Sequence, residues 1–145
     1  MIKEEKDNLK PGVGTAVIVR KDGKVLFSKR LKNPGYNKWH FPGGGLEWFE
    51  EIEDCAIRET KEETNVDIKN VRIVKVTNAI YREDNDHYVT VWVVADYAGG
   101  EVKDMEPNKA VGWDWYEWDK LPEPYFLPVK QLLDTGYNPF YNESK

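Results

Sequence analysis

The chain has 145 residues, a formal net charge of −5, and 40% hydrophobic and 13% aromatic residues. This length suits a single domain with a core of its own, and the hydrophobic content is typical of a folded chain rather than a disordered one. The acidic balance without a basic stripe argues against duplex nucleic acid as a partner. No run reaches the ~20 apolar residues that span a membrane. The single cysteine, Cys55, and the lack of an apolar N-terminal segment favour a cytoplasmic location.

The first 30 residues contain a charged stretch and then a strand hairpin. Residues 1–10 lack apolar periodicity, which predicts a mobile arm ahead of a single domain over residues 11–145. The β-branched run at 13–19 predicts a central strand. The letters KDGK at 21–24 are typical of a hairpin turn, so residues 25–30 are expected to return as the paired strand.

Residues 43–66 combine a glycine cluster with an acid-rich run at helical spacing. At about 100° per residue, the apolar face early in this helix is continued by three acids: Glu59, Glu62 and Glu63. Clustered like charges on a half-buried face repel one another and are costly to desolvate. Mg²⁺ relieves this cost because it prefers carboxylate oxygens, so the run predicts a metal site beside a loop that lets a phosphate approach. The alternative is a solvated acidic helix whose glutamates pair with neighbouring cations.

The rest of the chain predicts strands followed by a helix. Residues 66–68 and 71–81 alternate apolar and polar positions, as half-buried strands do. Residues 87–97 form the longest predicted strand, and their β-branched side chains predict burial on both faces. Alternation at 111–118 predicts another strand, and one-sided apolar spacing at 126–135 predicts a helix. Strands around one acid-bearing helix, with a second helix near the C-terminus, make a mixed α+β sandwich.

Three polar side chains near the glycines have alternative interpretations. Arg30 closes the second strand and is either a surface cation or a phosphate clamp, because a guanidinium offers phosphate a bidentate fork. His40 lies in a short alternating strand at 39–41, on the face opposite its two aromatic neighbours. It is either an ordinary polar contact or a general base. Glu47 lies in the loop before the helix, where we expect a structural hydrogen bond.

The glycines and acids have the spacing of a known motif. Gly44, five residues, Glu50, seven residues and then RETKEETNV at 58–66 closely resemble the Nudix box. Three positions depart from its common form without touching an acid: Phe49 and Asn65, where the family usually has Gly, and Thr60, where it has an aliphatic residue. Asn tolerates the left-handed conformation that ends a helix. The likeness covers most of residues 12–140 and implies the family's α/β/α sandwich with a mixed central β-sheet.

The resemblance assigns roles to residues that match the family's positions. The implied ligands of Mg²⁺, with Mn²⁺ as a substitute, are the backbone of Gly44 together with Glu59, Glu62 and Glu63. Arg58 is implied to orient these acids, and Glu50 to hold Arg58 or a water. Arg30 matches a phosphate-contacting arginine of the closer relatives. The positions around the base pocket correspond to Thr90, Phe126, Leu127 and Val129. Glu106 lies in a loop where some relatives supply another acid.

Three further stretches, HYVTVWV, EPNKAVGWDWYEWDKLP and GYNPF, look like the MutT-type subgroup, which includes a human hydrolase of deoxynucleoside and thiopurine triphosphates. The resemblance implies Mg²⁺-dependent hydrolysis of nucleoside and deoxynucleoside triphosphates to monophosphate and pyrophosphate, in the manner of a nucleotide-pool sanitation enzyme. Two alternatives stay open: hydrolysis of ADP-ribose, a nucleotide sugar or a dinucleoside polyphosphate, and a non-catalytic domain that senses a nucleotide. The aromatic-rich C-terminal half is compatible with a homodimer. The sequence does not identify the preferred base.

Overall fold

The computed structural model describes residues 9–141, so most of the predicted N-terminal arm, and residues 142–145, lie outside the described residues. The elements in chain order are β1 (Gly12–Lys21), β2 (Lys24–Lys29), β3 (Trp39–His40), β4 (Gly43–Gly45), α1 (Ile52–Thr64), β5 (Asp67–Tyr81), β6 (Asp86–Gly99), β7 (Asp114–Glu117), a 3₁₀ turn (Trp118–Lys120) and α2 (Leu127–Asp134). Within the described part of the chain, no helix is long and apolar enough to cross a bilayer.

Strand β1 is the centre of a mixed sheet with the order β3-β2-β1-β6-β5. It runs parallel to β6 and antiparallel to β2 and β4, and β7 pairs with the other edge of β2. The predicted β1–β2 hairpin is confirmed. Its turn residues, Asp22 and Gly23, have φ of 51° and 76°, which suits the tight turn that matches strand twist.

The alternation of side chains along β1 explains why a helix covers each face of the sheet. Val17 and Val19 have no solvent exposure and pack with Ala56 of α1. Ile18 points to the opposite face, where it packs with Val129 of α2. The predicted α+β class and α/β/α sandwich are therefore confirmed.

Helix α1 ends where its sequence predicts. Asn65 adopts a left-handed conformation with φ of 66°, and its N–H donates to the Lys61 carbonyl at 3.0 Å. The buried face contains Cys55 and Thr60, so the departure from an aliphatic residue at position 60 places a hydroxyl in the core. That hydroxyl has no hydrogen-bond partner among residues 9–141.

Three sequence expectations need correction. Residues 67–81 form one strand of 15 residues, one longer than the 14-residue β6, because bulges absorb the irregular alternation around 69–75. The strand predicted at 111–118 is limited to the four residues of β7, since Gly112 before it has a left-handed φ of 56° and a 3₁₀ turn follows. Helix α2 is one residue shorter at each end than predicted.

Candidate active site

Strand β4 crosses directly over the acids of helix α1. The Gly43 N–H donates to Glu63 Oε1 at 3.3 Å. A Cβ atom on Gly44 would lie 2.4 Å from the Glu59 carboxyl group, so a side chain at position 44 would displace that carboxylate. Pairing of β4 with β1 fixes this crossing. The structure thus brings together the predicted metal-site residues Gly44, Glu59 and Glu63.

Arg58 holds the surrounding glutamates in one network. Its Nε and Nη2 donate to the two oxygens of Glu50 at 2.8 and 3.0 Å. Its Nη1 donates to Glu59 at 3.0 Å and to Glu62 at 3.2 Å. Glu47 adds a longer ion pair of 3.8 Å, which agrees with its expected structural role. The hydrogen bonds that Arg58 donates to Glu50 lower the pKa of Glu50 to about 2. The same hydrogen bonds raise the pKa of Arg58.

The acids of α1 differ in how far they are withdrawn from water. Partial burial raises the pKa of Glu59 despite the nearby Arg58. Burial, together with the Glu59 carboxylate, raises the pKa of Glu63 to about 9. Glu62 stands at the rim, with 52% of its side chain exposed. Two half-buried carboxylates that repel each other are a donor set that fits a hard divalent cation.

The candidate metal ligands also bond to groups of the protein itself. Among residues 9–141, no three His, Cys, Asp or Glu side chains form a ready-made metal cluster. Arg58 Nη1 donates to one oxygen of Glu59 and to one oxygen of Glu62, which turns that oxygen of each carboxylate toward the guanidinium. The carbonyl oxygen of Gly44, another candidate ligand, accepts a hydrogen bond from the Cys55 thiol at 3.8 Å.

A cavity of about 310 Å³ opens beside the glycine strand. Five of the predicted substrate-binding residues line it: Arg30, Gly44, Thr90, Phe126 and Val129. Leu127 does not line it, which corrects that prediction. Successive helical residues differ by about 100°, so within α2 Leu127 is directed away from the side on which Pro128 and Val129 line the cavity.

Arg30 is a buried cation in the wall of this cavity, so its interpretation as a surface cation is wrong. Only 8% of the residue is exposed. Its Nε donates to the Pro34 carbonyl at 2.9 Å, and its guanidinium lies 3.9 Å from the centroid of the Phe126 ring. Tyr81 stacks on Phe126 with ring centroids 5.8 Å apart. Burial lowers the pKa of Arg30, because a guanidinium withdrawn from water is poorly solvated.

A second, smaller cavity of about 30 Å³ adjoins this region, and Arg30, His40 and Gly43 line both. The carboxylates of Glu63 and Glu106 also face this second cavity. Glu106 pairs with Lys109 at 3.3 Å. The loop acid that sequence could not assign therefore lies in the same pocket as an acid of the box.

Comparisons with known proteins agree with this geometry. Residues 8–135 match the family model described as NUDIX domain. The chain belongs to the Nudix hydrolase family. This Nudix hydrolase is 30% identical over 133 residues to an ADP-ribose pyrophosphatase of Methanocaldococcus jannaschii, covering 92% of this chain and 78% of that protein. It is also 30% identical over 142 residues to an RNA pyrophosphohydrolase of Actinobacillus pleuropneumoniae, covering 88% of this chain and 65% of that protein.

Solved Nudix structures share the fold. A MutT NUDIX hydrolase from Burkholderia pseudomallei has a TM-score of 0.80 and 27% identity, covering 87% of this chain and 98% of that one. The NUDIX domain of Shewanella oneidensis NrtR, solved with ADP ribose, has a TM-score of 0.72 and 19% identity, covering 94% and 97%. This last likeness concerns the fold alone. Nudix hydrolases generally use a divalent cation such as Mg²⁺, whereas the narrower likeness to triphosphate hydrolases stays a prediction.

Sequence analysis missed several residues of the Nudix cavity. Lys32, Tyr81, Asp86 and Tyr88 line it together with His40, for which the sequence left a polar contact and a general base as alternatives. Asp86 and Tyr88 begin β6, which contains Thr90, and alternation along that strand was a usable signal for Tyr88. Lys32 lies in an irregular segment, where no periodicity indicates the direction of a side chain.

Proposed function

We propose that this Nudix hydrolase cleaves nucleoside triphosphates, including deoxynucleoside triphosphates, to a monophosphate and pyrophosphate. The observation that carries the proposal is the single cavity bounded by an aromatic wall, two cations and the glycine strand. The aromatic wall, with Tyr81 and Phe126, suits a nucleobase. Arg30 and Lys32 suit the phosphates, and Glu59 lies directly beneath Gly44.

The donor set fits Mg²⁺, with Mn²⁺ as a substitute. Glu59 and Glu63 would hold the cation with the backbone of Gly44, and Glu62 would contribute from the rim. When bound, the cation neutralises charge on the phosphate oxygens and lowers the pKa of water. Arg58 orients the carboxylates through the hydrogen bonds described above.

The remaining steps belong to side chains of this protein. Arg30 and Lys32 would bind phosphate oxygens and hold the chain of phosphates against the acids. Thr90, Phe126 and Val129 would contact the base or sugar. A glutamate of the acid cluster accepts a proton from the water that attacks phosphorus in line with the leaving oxygen. The attack breaks one phosphoanhydride bond and needs no covalent intermediate.

ADP-ribose is the second candidate substrate. The observation in its favour is the similarity to the ADP-ribose pyrophosphatase of Methanocaldococcus jannaschii, which extends over 92% of this chain. The same acids and the same cation would cleave its diphosphate. The two candidate substrates differ in the group attached beyond the phosphoanhydride bond that is cleaved. In a triphosphate this group is further charged phosphate, whereas in ADP-ribose it ends in a neutral sugar.

The test is hydrolysis by the purified chain, with and without Mg²⁺, followed by chromatographic identification of the products. The substrates are the common ribo- and deoxyribonucleoside triphosphates, oxidised and thiopurine triphosphates, ADP-ribose and nucleotide sugars. We expect monophosphate and pyrophosphate from triphosphates, and reaction in ¹⁸O-labelled water identifies the phosphorus attacked. Cleavage of ADP-ribose with inert triphosphates would establish the second candidate. Nucleotide binding without any hydrolysis would contradict both.

A further inference from the structure

His40 lies at the junction of the two cavities. His40 belongs to the short strand β3, where it pairs with Ser28 of β2. It lines both the larger cavity and the smaller one. Its ring is 5.2 Å from that of Trp113 and edge-on to that of Phe126 at 6.2 Å, measured between centroids. The imidazole is therefore fixed in a wall that the proposed nucleotide would contact.

The neighbouring arginine determines which nitrogen of His40 bears the proton. Arg30 Nη1 lies 3.4 Å from His40 Nδ1 in hydrogen-bonding geometry. A guanidinium has donors and no acceptor, so Nδ1 must be the acceptor of this bond. The proton of the neutral ring then resides on Nε2. Burial, followed by the cations Arg30 and Lys32, lowers the pKa of His40 well below its usual value, which agrees with a neutral ring.

This tautomer leaves one donor without a partner. Nε2 is buried and has no hydrogen bond within residues 9–141. Three acids face the smaller cavity that His40 also lines, namely Glu63, Asp104 and Glu106, and none of them accepts from Nε2. An unpaired buried N–H is costly, and such groups in native proteins call for an explanation. With its one lone pair occupied by Arg30, the same ring is unsuited to act as a general base.

We propose that His40 is a substrate-binding residue that donates a hydrogen bond from Nε2 to an oxygen of the nucleotide. Such an oxygen is either an exocyclic carbonyl of the base or a non-bridging phosphate oxygen, because both are acceptors without a proton. The inference rests on the proposed function only in taking the ligand to be a nucleotide. It makes His40 a substrate-binding residue whose Nε2–H tautomer is set by the hydrogen bond from Arg30.

The first test observes the ring directly in the wild-type protein. The chain contains two histidines, His40 and His87, so ¹⁵N-labelled protein gives two sets of imidazole signals, which a His87→Gln variant assigns. We expect His40 to show the neutral Nε2–H tautomer in the free protein. Addition of an α,β-methylene triphosphate analogue, or of the α,β-methylene analogue of ADP-ribose, is expected to shift its Nε2 and Hε2 signals while those of His87 stay unchanged. A Nδ1–H tautomer, or an unshifted Nε2 with either analogue bound, would overturn the proposal.

The second test uses steady-state kinetics on paired variants. His40→Phe removes both nitrogens, whereas His40→Gln keeps one donor and one acceptor. We expect His40→Phe to lower kcat/KM roughly tenfold, mainly through KM, and His40→Gln to recover most of it, as a single hydrogen bond predicts. His87→Gln is the matched control and should behave as wild type. Retention of kcat/KM within twofold by His40→Phe would contradict the proposal.

The same variants distinguish the source of the oxygen. If the acceptor is a base carbonyl, the loss in His40→Phe differs strongly between adenine, which lacks an exocyclic carbonyl, and guanine, uracil or thymine. If it is a phosphate oxygen, the loss is uniform across bases. A failure of the proposed triphosphate activity is recognised separately, because only the ADP-ribose analogue would then shift the His40 signals.

Discussion

The two arginines of the site are held in opposite ways. Arg58 donates to three glutamates at 2.8–3.2 Å, and this contact raises its pKa. Arg30 lies against the Phe126 ring, its Nε donates to a backbone carbonyl, and burial lowers its pKa. We call the first surroundings the carboxylate region, comprising Glu50, Arg58, Glu59, Glu62 and Glu63. We call the second the aromatic region, comprising Arg30, His40, Tyr81 and Phe126.

The difference indicates separate tasks for the two regions. The neighbouring carboxylates compensate the positive charge of Arg58, so Arg58 orients these carboxylates and attracts an anionic ligand only weakly. Arg30 keeps its charge at the wall of a cavity and forms no ion pair with a carboxylate within residues 9–141, which favours an anionic ligand. Loss of function through the carboxylate region should therefore appear in kcat, and loss through the aromatic region in KM and substrate choice.

Glu63→Gln should give the largest effect. Gln keeps the size of the side chain and can still accept from the Gly43 N–H, but it cannot supply a negative oxygen to a cation. We expect kcat to fall roughly 100-fold or more, and the rise in melting temperature on adding Mg²⁺ to be lost. Thermal melts and turnover assays with and without Mg²⁺ measure both.

Glu53→Gln is the control for this prediction. Glu53 lies in the first turn of the same helix and is exposed, so the substitution removes one charge from α1 without touching the carboxylate region. It should leave both kcat and the Mg²⁺-dependent melting shift unchanged. If Glu63→Gln retained kcat within a few-fold of wild type, Glu63 would have no role in holding the cation.

Arg30→Ala should give the next largest effect. Removing a charged hydrogen-bond donor from the cavity should lower kcat/KM roughly 10- to 100-fold, chiefly by raising KM. Arg30→Lys keeps the charge but loses the planar contact with Phe126 and the bond to His40, so we expect only partial recovery. Titration of substrate at saturating Mg²⁺ separates KM from kcat.

Arg20→Ala is the matched control for Arg30. Arg20 pairs with Asp96 at 2.9 Å and donates to the Pro139 carbonyl, outside both cavities. Its loss should lower stability while KM stays within twofold of wild type. An unchanged KM in Arg30→Ala would show that the aromatic region does not bind the phosphates.

The two regions were not equally accessible from sequence. Three acids of the carboxylate region, Glu59, Glu62 and Glu63, lie on α1, so helical periodicity alone brings them to one side. Glu50 precedes the helix and joins them through its hydrogen bonds with Arg58. The aromatic region joins the residue that follows β2, strands β3 and β5, and the residue that precedes α2, so its members are as far apart as positions 30 and 126. Their convergence depends on sheet order and strand register, which local patterns do not encode. Leu127 illustrates the limit, because matching its position to the family placed it in a wall that its helix phase excludes.

Gly44→Ala should have a smaller and more selective effect. The new Cβ would meet the Glu59 carboxyl group at 2.4 Å, and that group is the end of a flexible side chain that can move aside. We therefore expect stability to fall by less than about 1 kcal/mol, since no core atom is displaced. The shifted carboxylate should lower kcat roughly tenfold and raise the Mg²⁺ concentration needed for half-maximal activity.

Gly45→Ala provides the control from the next residue in the same strand. A Cβ there has nothing within 4 Å, and neither glycine has a left-handed φ. Gly45→Ala should therefore match wild type in activity and in Mg²⁺ dependence. Equal losses in the two variants would mean that strand β4, rather than the position of Glu59, is what the substitution disturbs.

The smallest expected effect concerns Phe49, which adjoins Glu50 at the edge of the carboxylate region. Phe49 is 95% exposed and has a left-handed φ of 64°, a conformation that favours glycine and costs most residues about 1 kcal/mol. Among the aromatic contacts of residues 9–141, its ring contacts only the ring of Trp48, at 5.4 Å between centroids.

Phe49→Ala removes the ring and keeps the strain, whereas Phe49→Gly removes both. Urea denaturation should therefore find Phe49→Gly about 0.5–1 kcal/mol more stable than Phe49→Ala, because relief of strain exceeds the entropy that glycine adds to the unfolded chain. Both variants should keep wild-type kcat, since the Glu50–Arg58 hydrogen bonds do not involve the Phe49 ring. Equal stabilities would show that the loop relaxes freely around position 49, and a loss of kcat in both would extend the carboxylate region to this exposed ring.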